Sequence, residues 1–170
     1  MQKRLYIFIG YPGAGKTTVA RIIAKATGAI HLWVDQERHK MFKQPTHSQA
    51  ESQQLYDHLN KLTDELLATD KSVVFDTNFN YLKDREHLRK IAIKNNAEVI
   101  TIWVTTPKAL ARMRATEDSH GKETRIWGNM ATEDFDAMSN RLEEPSDYEN
   151  AVLIDGTNID PEALKQQLNI

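Results

Sequence analysis

Apolar residues occur along the chain in short runs that alternate with stretches of helical spacing. Five runs have the length and the β-favouring composition of strands, and these are 5–9, 29–34, 72–76, 97–104 and 151–155. The intervening stretches place apolar residues every three or four positions, most clearly at Leu55, Leu59, Leu62 and Leu66. This alternation predicts an α/β fold in which helices cover both faces of a five-stranded parallel sheet.

Start signals mark several of the predicted helices. These helices are 17–26, 36–42, 81–94, 131–142 and 161–168, with two more that start after Ser48 and at Pro107. Ser48 and Glu51 have the spacing of a capping box, and proline suits the first position of a helix. In the helix over 81–94, Leu88 is expected to face the core and Arg85 to face solvent.

Residues 114–130 interrupt this pattern. The apolar rhythm is lost over the segment, which is rich in polar and charged residues and precedes the last two predicted helices. An irregular insertion at this place is typical of a mobile lid over a ligand site. The chain of 170 residues suits one domain, so we expect a single domain, 1–170, that carries this lid segment.

A glycine-rich motif follows the first predicted strand. The residues Gly10-Tyr-Pro-Gly-Ala-Gly-Lys-Thr17 fit the spacing G-x-x-x-x-G-K-[ST] of a phosphate-binding loop. Glycines let backbone N–H groups converge on one anion, and the following helix N-terminus adds partial positive charge. Lys16 would reach the β- and γ-phosphates, and the Thr17 hydroxyl would ligate Mg²⁺. The residues predicted to bind the nucleoside triphosphate are Gly10, Pro12, Gly13, Ala14, Gly15, Lys16, Thr17 and Thr18.

The composition narrows the classes of function. The 22 basic and 24 acidic side chains give a formal net charge of −2, so the chain has no overall attraction for a nucleic-acid polymer or an anionic membrane. The absence of cysteine excludes a disulfide scaffold, a thiolate zinc site and a cysteine nucleophile. No apolar run reaches membrane-spanning length, and we expect a soluble, cytoplasmic protein. Nothing in the sequence fixes the oligomeric state.

Acidic residues end the second and third predicted strands. Because the carboxyl ends of parallel strands face the ligand crevice, Asp35 and Asp76 are expected near the phosphate loop. Asp35 is the candidate general base for an acceptor hydroxyl, and its alternative role is the N-cap of the helix at 36–42. Asp76 would hold Mg²⁺ through water, or else cap the turn that follows it. Arg38 would orient the acceptor or a phosphate on it, unless it is a plain surface arginine.

Two further features are candidates for contact with the triphosphate. Thr157 lies in the turn 156–158 after the fifth predicted strand, where an adenine could bind, although an ordinary turn would have the same sequence. Three arginines in or near the lid segment are candidates to clamp the transferring phosphoryl group, and these are Arg112, Arg114 and Arg125.

Together these motifs resemble those of the P-loop kinases typified by the 5′-hydroxyl polynucleotide kinase of bacteriophage, whose relatives include zeta toxins and chloramphenicol and gluconate kinases. The motifs are the loop at 10–17, Asp35-x-x-Arg38 and Asp76-Thr-Asn-Phe-Asn. The resemblance implies a three-layer P-loop NTPase fold of AAA-type ATP-binding proteins, with Asp35 as general base and Arg38 on a phosphate of the acceptor. Relatives often carry two arginines four residues apart in the lid, whereas here Arg112 is followed by Thr116.

The sequence therefore predicts an ATP-dependent kinase that uses Mg²⁺ and phosphorylates an alcohol, with the 5′-hydroxyl of a nucleotide or nucleic-acid end as the leading acceptor. The alternative acceptor is a small metabolite, nucleoside or drug, because residues 117–149 hold ten acidic and three basic side chains and would repel a polyanion. A nucleotide-binding regulatory ATPase, whose output is partner binding, is the second alternative.

Overall fold

A five-stranded parallel sheet forms the centre of the part of the chain that the structure describes, residues 2–117, 126 and 128–170. In this computed structural model the strands are β1 Arg4–Ile9, β2 Ile30–Trp33, β3 Val73–Asp76, β4 Glu98–Thr105 and β5 Val152–Asp155. Their order is β2-β3-β1-β4-β5, and each pair of neighbours is parallel. The predicted sheet is therefore confirmed.

Helices connect these strands. Within the described residues they are α1 Lys16–Thr27, α2 Val34–Met41, α3 Gln49–Ala68, α4 Leu82–Lys94, α5 Lys108–Thr116, α6 Thr132–Ser139 and α7 Pro161–Leu168, with a short 3-10 turn at Asp147–Glu149. α6 ends three residues before its predicted end. α2 begins directly after β2, so Asp35 lies in the first turn of a helix and does not end a strand. None of these helices has the length and apolar character that a membrane crossing requires.

Each face of the sheet buries its own core because successive residues of a strand point to opposite faces. On one face, Tyr6 and Phe8 of β1 belong to a buried cluster with residues of α1 and α7. On the other face, Leu5 and Ile7 belong to a cluster with residues of α3 and α4, including Leu55 of the predicted stripe. This arrangement of helix, sheet and helix confirms the predicted three-layer architecture.

The side chain of Arg85 corrects the predicted orientation of α4. The sequence assigned it to the solvent face, but it is fully buried. Its Nε and Nη2 donate to the Glu149 carboxylate at 2.7 and 3.0 Å, and its Nη1 donates to the Phe79 carbonyl at 2.9 Å. The partner charge compensates the burial of the guanidinium, and the pair fastens the segment before β5 to α4.

The strand order determines where the ligand crevice lies. β2 and β3 lie on one side of β1, and β4 and β5 lie on the other. In open α/β sheets a ligand binds beside the strand at which the order reverses, at the carboxyl ends of the strands. Trp33 pairs with Asp76 at this edge, so the segment that carries Asp35 and the end of β3 are neighbours beside the loop that follows β1.

Candidate active site

The loop between β1 and α1 has the backbone shape of an anion cradle. Gly13 and Gly15 have φ angles of +78° and +108°, which side chains disfavour. A Cβ at Gly13 would lie 2.2 Å from the Ala111 carbonyl oxygen, so only glycine lets the loop approach α5 this closely. Gly15 is the N-cap of α1 and has no side chain to cover the first N–H groups of the helix. Those groups are therefore available to an anion.

Lys16 lies folded against this loop. Its ammonium donates to the carbonyl oxygens of Gly10 at 2.9 Å and Tyr11 at 2.6 Å. Burial of the side chain lowers its pKa to about 8, whereas the nearby charges of Asp76 and Asp35 raise the pKa and so oppose this effect. Both predicted carboxylates are therefore close enough to the loop lysine to act on its charge.

A chain of polar contacts connects α1 to β3. The Thr17 hydroxyl donates to Oδ1 of Asp76 at 3.2 Å, and Oδ2 of Asp76 lies 3.0 Å from Nε2 of His31. Asp76 is buried, so these contacts fix the direction of its carboxylate. A hydroxyl and a carboxylate are hard oxygen ligands of the kind that Mg²⁺ prefers, so Thr17 and Asp76 fit the predicted metal role. The described residues contain no group of three or more His, Cys, Asp or Glu side chains that would hold a metal by itself.

A cavity of about 380 Å³ opens beside the cradle. Its walls come from the phosphate loop, the start of α1, α5 and the turn after β5, and the lining residues are Gly13, Gly15, Lys16, Thr17, Thr18, Arg114, Gly156, Thr157, Asn158 and Ile159. Arg114 donates to the carbonyl oxygens of Gly156 at 2.7 Å and Thr157 at 3.3 Å. The structure thus brings two predicted residues, Arg114 and Thr157, to the same cavity as the loop.

The turn after β5 is held in place by local bonds. The Thr157 N–H and hydroxyl donate to Asp155 at 2.8 and 2.7 Å, and these bonds lower the pKa of the Asp155 carboxyl. A Cβ at Gly156 would lie 2.0 Å from the Thr106 hydroxyl, which itself donates to the Ala14 carbonyl at 2.8 Å. Thr106 therefore joins the turn to the phosphate loop, a role that sequence reasoning missed.

Arg112 does not share this position. Arg112 lies two residues from Arg114 on α5, which turns its side chain to a different face of the helix. It is half exposed, and its Nη2 lies 4.0 Å from Oδ2 of Asp136. The predicted lid also needs correction at its start, because residues 114–116 belong to α5. Arg125 lies outside the described residues, as do 118–124 of the same segment.

Asp35 lies in the first turn of α2. The N-cap of α2 is Trp33, so the alternative role of Asp35 as the N-cap is wrong. Its charge acts on Lys16 and on Tyr56 of α3, since it raises the pKa of both groups. The Tyr56 hydroxyl lies 2.8 Å from the Thr77 hydroxyl in the loop after β3. The charge of Asp35 therefore acts both on the loop lysine and on the tyrosine of this hydroxyl pair.

Arg38 is buried, so its alternative role as a surface arginine is wrong. Its Nη1 pairs with the Glu51 carboxylate, and its Nη2 donates to the Ser52 hydroxyl at 3.2 Å. Glu51 also accepts bonds from the Thr46 N–H at 2.6 Å, the Thr46 hydroxyl at 3.0 Å and the His47 N–H at 3.2 Å. Burial raises the pKa of Glu51, but the bonds from Thr46, Arg38 and His47 outweigh it and lower the pKa to about 2.

The capping box predicted at the start of α3 is present only in part. The Ser48 side chain accepts from the Glu51 N–H at 3.3 Å, as predicted for an N-cap. The Glu51 carboxylate is instead directed to Arg38 and Thr46. The sequence pattern predicted the start of α3 correctly, but it did not predict that Glu51 pairs with the buried Arg38.

Two asparagines after β3 complete the polar surroundings. Asn80 is buried, and its Oδ1 accepts from the Gly10 N–H at 3.3 Å, so the loop after β3 supports the phosphate loop. Oδ1 of Asn78 is buried and has no hydrogen-bond partner among the described residues. A buried carbonyl oxygen without a donor is costly, so this atom is suited to a donor from a ligand.

The chain matches one family model and is similar in fold to several solved structures. A family model described as an AAA domain matches residues 5–145. A sugar kinase from Janibacter sp. HTCC2649 is 18% identical with a TM-score of 0.70, over 100% of this chain and 96% of that chain. A gluconokinase from Sinorhizobium meliloti 1021 is 16% identical with a TM-score of 0.65, over 98% and 88%. The APS kinase of Mycobacterium tuberculosis, in complex with AMPPNP and APS, is 15% identical with a TM-score of 0.67, over 99% and 96%. A search of the curated proteins gave no match.

Proposed function

Because the chain belongs to the AAA domain family and has two carboxylates beside its phosphate loop, we propose that it is an ATP-dependent kinase that phosphorylates an alcohol of a small molecule. The observation that carries the proposal is that the charges of two acids with different surroundings, Asp76 and Asp35, both act on Lys16. Asp76 is buried and bonded to Thr17, whereas the charge of Asp35 also acts on Tyr56, whose hydroxyl lies 2.8 Å from that of Thr77. One carboxylate thus suits the nucleotide and the other suits the acceptor.

On the nucleotide side, the residues of the cradle would bind and orient the triphosphate. The open N-terminus of α1 and the ammonium of Lys16 would contact phosphate oxygens. Thr17 and Asp76 would hold Mg²⁺, which supplies charge neutralisation at the β- and γ-phosphates when it is bound. Arg114 reaches the mouth of the same cavity, where its guanidinium would stabilise the charge of the transferring phosphoryl group.

On the acceptor side, Asp35 would accept the proton of the alcohol as its oxygen attacks the γ-phosphorus. The oxygen–phosphorus bond forms, the bond to the β-phosphate oxygen breaks, and ADP leaves with the displaced electron pair. Phosphoryl transfer depends mainly on such positioning and charge stabilisation, so a single carboxylate next to the cradle is sufficient as the base.

Two observations favour a small acceptor over a nucleic-acid end. The similar structures are named as a sugar kinase, a gluconokinase and an APS kinase, and each of these names denotes a small acceptor. The excess of acidic residues over 117–149 would also repel a polyanion. The polynucleotide acceptor that leads the sequence prediction has no comparable support.

The test is transfer from γ-labelled ATP to a panel of alcohols that includes sugars, sugar acids, nucleosides, aminoglycosides and 5′-hydroxyl oligonucleotides. We expect a labelled, phosphatase-sensitive product with at least one small molecule and none with the oligonucleotides. Label on the oligonucleotides alone would contradict the small-molecule acceptor. Release of inorganic phosphate without transfer to any alcohol would contradict the kinase and would favour a regulatory ATPase.

A further inference from the structure

On the proposed acceptor side, the guanidinium of Arg38 is already paired with the carboxylate of Glu51. Arg38 lies one turn after Asp35 on α2, and its charge acts on the partly exposed side chain of Tyr56. The side chains of Arg38 and Glu51 are each only 7% exposed, so the ion pair between them is shielded from water. A substrate anion brought to Arg38 would therefore also meet the carboxylate of Glu51.

Several hydrogen bonds fix the carboxylate of Glu51 beside Arg38. The N–H groups of Thr46 and His47 and the Thr46 hydroxyl all donate to its carboxylate, which holds the segment before α3 around it. These bonds lower the pKa of Glu51, against the effect of burial, to about 2, so the carboxylate beside Arg38 is ionised at neutral pH. Separating a buried pair of this kind leaves an uncompensated charge, which disfavours any exchange of Glu51 for a substrate phosphate.

The remaining groups on this side are suited to a neutral ligand. The Tyr56 and Thr77 hydroxyls lie 2.8 Å apart, and burial raises the pKa of Tyr56, so it stays protonated. Hydroxyls exchange hydrogen bonds with alcohol groups, whereas the negative charge of Asp35 repels a second anion.

We infer that the acceptor is an uncharged, polyhydroxylated molecule that carries no phosphate or carboxylate beside Arg38. In this assignment Arg38 is a positioning residue, because its pair with Glu51 joins α2 to α3 and so sets the place of Asp35 one turn earlier. This inference rests on the proposed kinase function and corrects the implication of the sequence resemblance that Arg38 binds a phosphate of the acceptor.

The experiment compares matched acceptors. Whichever alcohol the panel identifies is assayed beside its counterpart that differs by one anionic group, such as a nucleoside and its 3′-monophosphate or a sugar alcohol and the corresponding sugar acid. We expect kcat/KM to be at least tenfold higher for the uncharged member. Equal or better use of the anionic member would overturn the inference and leave the kinase function intact, whereas no transfer to any alcohol would remove both.

Variants of the ion pair provide a second readout. Glu51→Gln removes the neutralising carboxylate and should lower the KM of the anionic member at least fivefold, because Arg38 is then an unpaired cation. Arg38→Gln should lower kcat for the neutral and the anionic member alike, and Arg38→Lys should restore part of it. If Arg38→Gln raises KM tenfold for the anionic member and not for the neutral one, Arg38 binds the anionic group directly. That result would overturn the inference. Circular dichroism and thermal unfolding confirm that each variant is folded.

Discussion

The Thr17 hydroxyl lies 3.2 Å from Oδ1 of Asp76, and this contact joins the start of α1 to the carboxyl end of β3. The two residues are 59 positions apart in the sequence, yet the parallel pairing of β1 with β3 brings them to one edge of the sheet. His31 holds the second oxygen of the same carboxylate at 3.0 Å. The contacts therefore fix the direction of the Asp76 carboxylate next to the start of α1.

Asp76→Asn should remove one charge from the proposed magnesium ligands and keep the shape of the side chain. We expect kcat to fall by about 10²–10³-fold and the Mg²⁺ concentration for half-maximal activity to rise, because charge stabilisation of the phosphoryl group is lost. Magnesium titrations of transfer at saturating ATP measure both effects. An unchanged magnesium dependence would show that Asp76 only caps the turn after β3.

The affinity for ATP should fall as the pH rises through about 8. Burial lowers the pKa of Lys16 to this value, so in the free protein the ammonium loses its proton well below the ordinary range of lysine. Only the protonated form attracts the phosphates, and the dissociation constant should rise by about tenfold per pH unit above pH 8. Calorimetric titrations with ATP from pH 6.5 to 9.5 test this dependence.

Two variants test whether Lys16 is the group whose titration changes the affinity for ATP. Lys16→Arg keeps its charge over the whole range, so its affinity for ATP should be nearly independent of pH. Asp76→Asn removes a charge that raises the pKa of Lys16, so the loss of affinity should begin at lower pH. If the affinity for ATP depends on pH in both variants as it does in the unmodified protein, the group that titrates is not Lys16.

Gly13→Ala and Gly28→Ala form a matched pair at positive φ. Gly28 has a φ of +71°, and a methyl group at this position would meet nothing within 4 Å, so its variant should lose only about 1–2 kcal/mol of unfolding free energy. At Gly13 the new methyl would also meet the Ala111 carbonyl at 2.2 Å, so the loop must move. We expect Gly13→Ala to lose ATP binding at least tenfold while Gly28→Ala keeps it. Urea unfolding and ATP titration separate the two effects.

Arg114→Ala should lower kcat with little change in the affinity for ATP. Its guanidinium lies at the cavity mouth and is held by the carbonyl oxygens of Gly156 and Thr157, so it is placed to act on charge that develops during transfer. We expect a loss of about 10²-fold or more in kcat, as for other positioned cations at a phosphoryl group. Lys165→Ala, which removes a partly exposed cation of α7 outside the cavity lining, serves as the control. If the dissociation constant of ATP rises by the same factor by which kcat falls, Arg114 contributes to the binding of ATP in the ground state and not to the transfer step.

Local patterns in the sequence were sufficient for the strands, most helix ends and the phosphate loop. Each depends on residues close together, such as the apolar run of β1 or the glycines that follow it. The burial of Arg38 and Arg85 was not predictable in this way. Their carboxylate partners Glu51 and Glu149 are 13 and 64 residues away and are brought near only by tertiary packing.

The position of Asp35 was also only partly predictable from local sequence patterns. We expected Asp35 near the loop because the alternation of elements predicted a parallel sheet, and the structure has that sheet, with β2 and β3 beside β1. Its place inside the first turn of α2 depends on where β2 ends, and an apolar run that continues into a helix hides that boundary. The role of Arg114 beside Gly156 likewise needed the packing of α5 against the turn after β5.

Asp35→Asn provides the most direct test of the kinase mechanism. Because Asp35 raises the pKa of Lys16, the variant is compared at pH 6, well below the value of about 8, where the lysine keeps its charge and the affinity for ATP should stay within about twofold. Single-turnover transfer to the identified acceptor should be slower by about 10²–10⁴-fold, because the amide cannot accept the proton of the alcohol. A transfer rate equal to that of the unmodified protein would show that Asp35 is not the base and would contradict the proposed mechanism.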